Sequence, residues 1–155
     1  MGLFGKKTWD TGRSDANKAA MRAIFDKAVS DGESYQIGYG YSQEVRMMNY
    51  LVIRTSTTTI QSLIIGWRES DMSIVIVGTT PEFDGYAEPE FYRKSEIKKA
   101  KITGGEYYIV PMVKRKPPYA LFGLYAEYDE NYFAYVYQQD EWEAFGLFWK
   151  QYAGK

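Results

Sequence analysis

The sequence has no cysteine and no histidine. The first absence removes disulfides, thiolate nucleophiles and cysteine-ligated zinc or iron–sulfur clusters. The second removes the side chain most used for proton relays near neutral pH and for transition-metal binding. Catalysis would fall to carboxylates, Lys, Tyr and Ser/Thr, so the chain is expected not to be an enzyme, and no catalytic residue, cofactor or metal site is assigned. An excess of charge of one sign is also missing. Nineteen Lys and Arg stand against twenty Asp and Glu, for a formal net charge of −1. No global field would gather nucleic acid or an anionic membrane, and any anion site has to be local.

Long hydrophobic runs are absent. The apolar stretches are strand-sized, which excludes stable membrane insertion by a helix. Met1–Lys7 does not have the ordered regions of a secretory signal. Lys6 stands where a myristoylation motif needs Ser or Thr. Leu3 and Phe4 beside Lys6 and Lys7 allow at most weak peripheral membrane contact, and residues 1–13 read as a mobile lead-in. A cytoplasmic location is expected.

What is present in excess is aromatic. Fifteen Tyr, eight Phe and four Trp make 17% of 155 residues, and such rings suit pleated, half-buried sheets. With 45% hydrophobic residues the chain can bury a core, and its length fits one domain, taken as 14–153.

A first helix is expected over 14–31, with Ser14 as N-cap and Met21, Ile24, Phe25 and Ala28 as its apolar stripe, stopped by Gly32. Ala16, Ala19, Ala20 and Ala23 would let it approach a sheet closely. From residue 34 to 137, β-branched and aromatic residues alternate with turn signals, which predicts an antiparallel meander. Strands are expected at 46–55, 58–67, 73–78, 91–103, 106–113, 119–127 and 132–137, while Ser34–Tyr41 is open between strand and extended approach. Ile74–Val77 is a continuous apolar run, buried on both faces or at a strand crossing. Gly104-Gly105 signals a two-residue hairpin. The acidic stretch Thr79–Glu90 reads as a solvated loop, since its spacing does not match a calcium loop. A final helix is expected from Asp140, with Asp140 and Glu143 as a capping box. Trp142, Phe145, Phe148, Trp149 and Tyr152 form its aromatic stripe, with both tryptophans in the core.

Ser95-Glu96-Ile97-Lys98-Lys99-Ala100 resembles the Ser-x-Ile-x-x-hydrophobic step that opens a mid-barrel strand in bacterial pleckstrin-homology-like domains. Ile97 and Ala100 can both point inward only across a bulge, because three is an odd step in a period-two strand. Seven antiparallel strands followed by an aromatic helix are the element order of that family, and the resemblance covers residues 46–153. It implies a mainly β fold: a seven-stranded antiparallel barrel or roll capped by a C-terminal helix, here preceded by an N-terminal amphipathic helix. In lipid-binding members, basic residues around the first hairpin hold an inositol headgroup. Here that loop is Arg54–Thr59 with Arg54 its only base, so phosphoinositide binding does not carry over.

One charged corner stands out. Simple register from the Gly-Gly hairpin puts Lys94 opposite Arg115 and Arg93 opposite Lys116, with Lys114 alongside. A bulge near Lys98 would shift this by one and keep the cluster. Facing like charges cost stability, so the corner either attracts an anion or partner, or its long side chains splay into water or pair with the acids of 82–90. Lys98, Lys99 and Lys101 form a second basic run that would guard a strand edge. The expected function is a non-catalytic binding or adaptor module for a protein or peptide, not nucleic acid. The alternative is self-association through Tyr125, Tyr128, Tyr132, Phe133 and Tyr135, and a carboxylate-based hydrolase stands third.

Overall fold

A computed structural model describes residues 9–43, 52–54, 59–115, 117–129 and 132–154, with 52–54 and 59 described by backbone alone. Helix α1 spans Thr11–Ala28. Its N-cap is Asp10, whose carboxylate accepts from the Arg13 amide at 3.0 Å. Ser14, the expected cap, lies one turn inside the helix and is buried, because its hydroxyl accepts from the Tyr137 amide at 2.9 Å. The helix ends before Asp31 because Val29 turns extended and buries its side chain, and Gly32 opens a short 3-10 turn instead. Met21, Ile24 and Phe25 are buried as the stripe requires. Ala16, Ala19 and Ala23 face solvent. Close approach comes instead from the sheet, where the Phe25 ring occupies the space a Cβ on Gly66 would need.

The first sheet contains β1 (Gln36–Ser42), β2 (Val52–Arg54), β3 (Thr59–Arg68), β4 (Ser73–Thr79) and β5 (Glu90–Arg93), in the order β1-β3-β4-β5 with β2 also paired to β3. The second contains β6 (Ile97–Thr103), β7 (Glu106–Pro111) and β8 (Ala120–Phe122) in sequence order. β9 (Glu127–Tyr128) and β10 (Val136–Tyr137) form a separate pair, and α2 spans Gln139–Ala153. All these pairings are antiparallel. Ser34–Tyr41, left open by its glycines, supplies most of β1. Of the strand expected at 46–55 the structure describes only β2. Ser56-Thr57, Glu130-Asn131 and Met1–Lys7 lie outside the described residues.

The sheets do not close into the seven-stranded barrel, because hydrogen bonding is interrupted at two seams. The long strand expected over 91–103 divides into β5 and β6 at a 3-10 turn, Lys94–Glu96. Its ends are tied to one sheet through Lys94 N to Met72 O, at 2.8 Å, and to the other through Met112 N to Glu96 O, at 2.9 Å. At the other seam, Tyr41 and Gly123 exchange reciprocal main-chain bonds of 3.0 and 2.8 Å as an isolated bridge. The strand expected at 119–127 breaks there into β8 and β9. The Gly-Gly hairpin forms as read, with φ of 59° and 82° at Gly104 and Gly105. So does the bulge: the β6–β7 register shifts between Ile97 and Lys99, and both Ile97 and Ala100 pack against the core.

Two hydrophobic cores lie on opposite faces of β3 and β4. Leu63, Ile65, Trp67, Ile74 and Ile76 face the second sheet and α2, whereas Ile64, Val75 and Val77 face α1 and β9–β10. The run Ile74–Val77 is thus buried on both sides, and burying each such side chain contributes about 1.5–3 kcal/mol. α2 fills the angle between the two sheets with Phe145, Phe148, Trp149 and Tyr152. It starts one residue before Asp140, and no capping box forms. Gln138 at the cap turns its amide inward, donating to Tyr39 O and Tyr125 O and accepting from Tyr39 N, all at 2.7–2.8 Å. Trp149 is in the core, but Trp142 is 40% exposed and borders an open cleft facing Tyr107 of β7.

Candidate functional site

The bulge at Lys98 places Ile97 opposite Pro111, so Lys94 and Arg115 are not ladder partners. Of the corner's described cations, Arg93, Lys94 and Arg115 are engaged from within the fold. Lys94 Nζ donates to Gln151 O at 2.8 Å, Tyr152 O at 2.8 Å and Gly154 O at 2.6 Å. These bonds use all three ammonium protons and satisfy carbonyls at the electronegative end of α2. Arg93 reaches Asp71 and Glu96, both at 3.5 Å, rather than the acids of 82–90. Arg115 donates to Phe91 O at 2.9 Å and lies 4.3 Å from the centroid of the Tyr92 ring. Lys114 is exposed, and Lys116 lies outside the described residues.

Behind Arg115, burial pushes the Glu90 carboxyl up, opposed by the Tyr92 hydroxyl, which donates to it at 2.9 Å, and by the Arg115 charge. The Tyr152 hydroxyl then donates to Tyr92 O at 2.8 Å, and burial holds the Tyr92 and Tyr152 phenols well above their ordinary range. This network joins β5 to α2 and positions the surfaces on either side of the helix.

Two clefts flank α2. Along its outer face Trp142, Gly146, Leu147 and Lys150 look across about 420 Å³ to Tyr107 on β7. At its C-terminal end, Tyr152–Gly154 and the Ile97–Ala100 stretch of β6 enclose about 330 Å³. β6 is the outer strand of its sheet, and among the described residues its main chain bonds only toward β7. Lys98, Lys99 and Lys101 are all exposed along it. Tyr107 and Gly146 carried no signal of their own, and Trp142 was hidden by its place on the aromatic stripe.

Glu127 and Asp129 both border a cavity lined also by Tyr41, Gln43, Ile60, Tyr125, Tyr128 and Phe133. Among the described residues no group of three or more carboxylates is placed to hold a metal ion, and no helix is long and apolar enough to cross a membrane. The chain matches no family model, and no curated protein or solved structure shows significant similarity to it.

Proposed function

We propose that this protein is a non-catalytic, cytoplasmic binding module of the pleckstrin-homology-like kind. It takes an extended acidic segment of a partner protein along the free edge of β6, beside α2. The observation that carries this reading is the open edge itself: an outer strand with three exposed lysines, adjoining a helix with a cleft on either side. Free main-chain N–H and C=O groups accept an added strand, and alternate side chains of that strand reach flanking pockets. The lysines repel a second copy of the same edge and favour acidic partners, and they act mainly on encounter rate. Trp142 and Leu147, at 40% and 63% exposure, offer the apolar contact that anchors such a segment.

The test is an anisotropy titration of the whole chain with a library of extended peptides, acidic and basic. Saturable binding of acidic members, lost at least tenfold on Lys98→Glu, Lys99→Glu and Lys101→Glu together and weakened by Leu147→Asp, supports the reading. Equal binding of basic members, or none at all, overturns it. A second reading, self-association, is favoured by Met112 and Val113 after β7, at 63% and 75% exposure. Sedimentation equilibrium decides it, since a strict monomer at high concentration removes it.

A further inference from the structure

The edge of β6 offers two faces of different chemistry to any strand that pairs with it. Ladder partners share a face, so Lys101 stands with Tyr108 and Ile102 with Tyr107. Lys99, Lys101, Thr103 and Tyr108 border one depression on the outer face, whereas Tyr107 turns inward onto Phe122 and Phe145. Ala100 also lies on the inner side, packed against the core. From Lys99 to Ile102 the edge therefore alternates lysine outward with apolar residue inward. Building on the docking reading, we infer that the segment taken by this edge alternates in step, with acidic residues outward and large apolar residues inward.

Charge decides the outer positions. Among the described residues no carboxylate lies within ion-pair distance of Lys99 or Lys101, and Lys101 rests 5.6 Å from the Tyr108 ring centroid. Residues two apart on a strand stand roughly 6.8 Å from each other on one face. Two carboxylates at that spacing on an added strand meet both ammonium groups. A second copy of β6 does not fit, since it would set lysines against lysines.

Exposed apolar surface decides the inner positions. Ile102 is 55% exposed, and Trp142 and Leu147 are exposed as well. Tyr107 lines the cleft with these two, and Ile102 stands one strand nearer the free edge. An added strand extends the inner face by one more row, so its inward side chains cover Ile102 and turn toward that cleft. Glu143 and Lys150 border the cleft with opposite signs, so a charge of either sign gains little there, whereas an apolar side chain removes exposed surface from water. A segment with its acids in one run and its apolar residues in another would set acids against Ile102 and apolar groups against the lysines, because side chains alternate strictly along a strand.

The experiment is an anisotropy titration of the whole chain with short labelled peptides. One alternates Glu with Val and Ile, one has the same composition with its Glu residues grouped at one end, and one keeps the alternating order with Lys in place of Glu. The alternating Glu peptide is expected to bind at least about tenfold tighter than the grouped one. Ile102→Thr keeps a β-branched residue at an exposed position, so the strand should persist while most of that preference disappears. Lys99→Glu with Lys101→Glu should transfer binding from the Glu peptide to the Lys peptide. Equal binding of the alternating and grouped peptides, with both still preferred over the Lys peptide, overturns the alternation and leaves the docking reading standing. Failure of every acidic peptide to bind overturns both. An unchanged preference in Ile102→Thr, or no transfer in the charge-reversed chain, overturns the assignment of the two faces.

Discussion

The two helices cover opposite faces of β3 and β4, yet they are held by different means. α2 buries four aromatic side chains, and the Phe145 centroid lies 5.1 Å from Trp67 and 5.0 Å from Tyr107. α1 buries a smaller stripe and depends more on directed bonds to distant groups, which α2 has mainly at its C-terminal end through Lys94 and Tyr152. Asn17 donates to Tyr135 O at 2.8 Å, Arg22 to Tyr35 O at 2.9 Å, and the Asp10 amide to the Tyr135 hydroxyl at 2.8 Å. Area burial is non-directional and tolerates small shifts, whereas hydrogen bonds fix a register and are lost singly. The α2 face is therefore expected to open only with global unfolding, and the α1 face to open locally first.

The sharpest test of that contrast is Phe145→Ala. It empties a fully buried site and should cost about 3–5 kcal/mol in denaturant unfolding, with both helices lost together. Gln138→Ala comes next, because it strands Tyr39 N, Tyr39 O and Tyr125 O near the junction of both regions. The expected cost is about 2–3 kcal/mol. Asn17→Ala should cost about 1 kcal/mol and speed amide exchange in α1 while leaving α2 protected. Equal acceleration in α2 would show that the two faces form one cooperative unit.

The smallest effect is a divergence in pH response. On the α1 side, hydrogen bonds from Arg68 hold the Asp71 and Asp31 carboxyls below their ordinary value. Their contribution is complete above about pH 4 and is lost as pH falls through the depressed values. On the α2 side, burial raises Glu90, so its protonated form suits the fold and stability is lost as pH rises through that raised value. Acid below about pH 4 should then loosen α1 and not α2. Asp71→Asn should reduce the first slope to the Asp31 part and Glu90→Gln should abolish the second, as read by exchange rates between pH 3 and 7.

What was legible in the residues had its cause within a few positions. The hairpin needs only two glycines, the double-sided burial of β4 only four consecutive aliphatics, and the Lys98 bulge only the spacing of Ile97 and Ala100. What was not legible had a distant cause. Ser14 carries every local mark of an N-cap, but its hydroxyl is claimed by Tyr137, 123 positions along. Trp142 continues the helical stripe, but the open cleft it borders with Tyr107 of β7 is not a property of the helix. The basic corner was visible as composition, while the groups that hold Arg93, Lys94 and Arg115 come from three other places in the chain. The aromatic cavity showed only as an excess of tyrosine, because β1 and the 125–133 region meet only once the sheets have folded.

The bonds from Lys94 bear on the order of assembly. α2 has no ending of its own. Gly154 at its C-cap is extended, with φ −73° and ψ 169°, rather than in the left-handed turn that usually closes a helix. The closing hydrogen bonds come from an ammonium about sixty positions upstream, fixed by the corner between β5 and β6. A peptide of the α2 sequence alone should therefore fray at its final turn. In the whole chain that turn can be completed only after the two sheets have met, which makes it one of the last parts of the fold to settle and a natural reporter for a finished molecule.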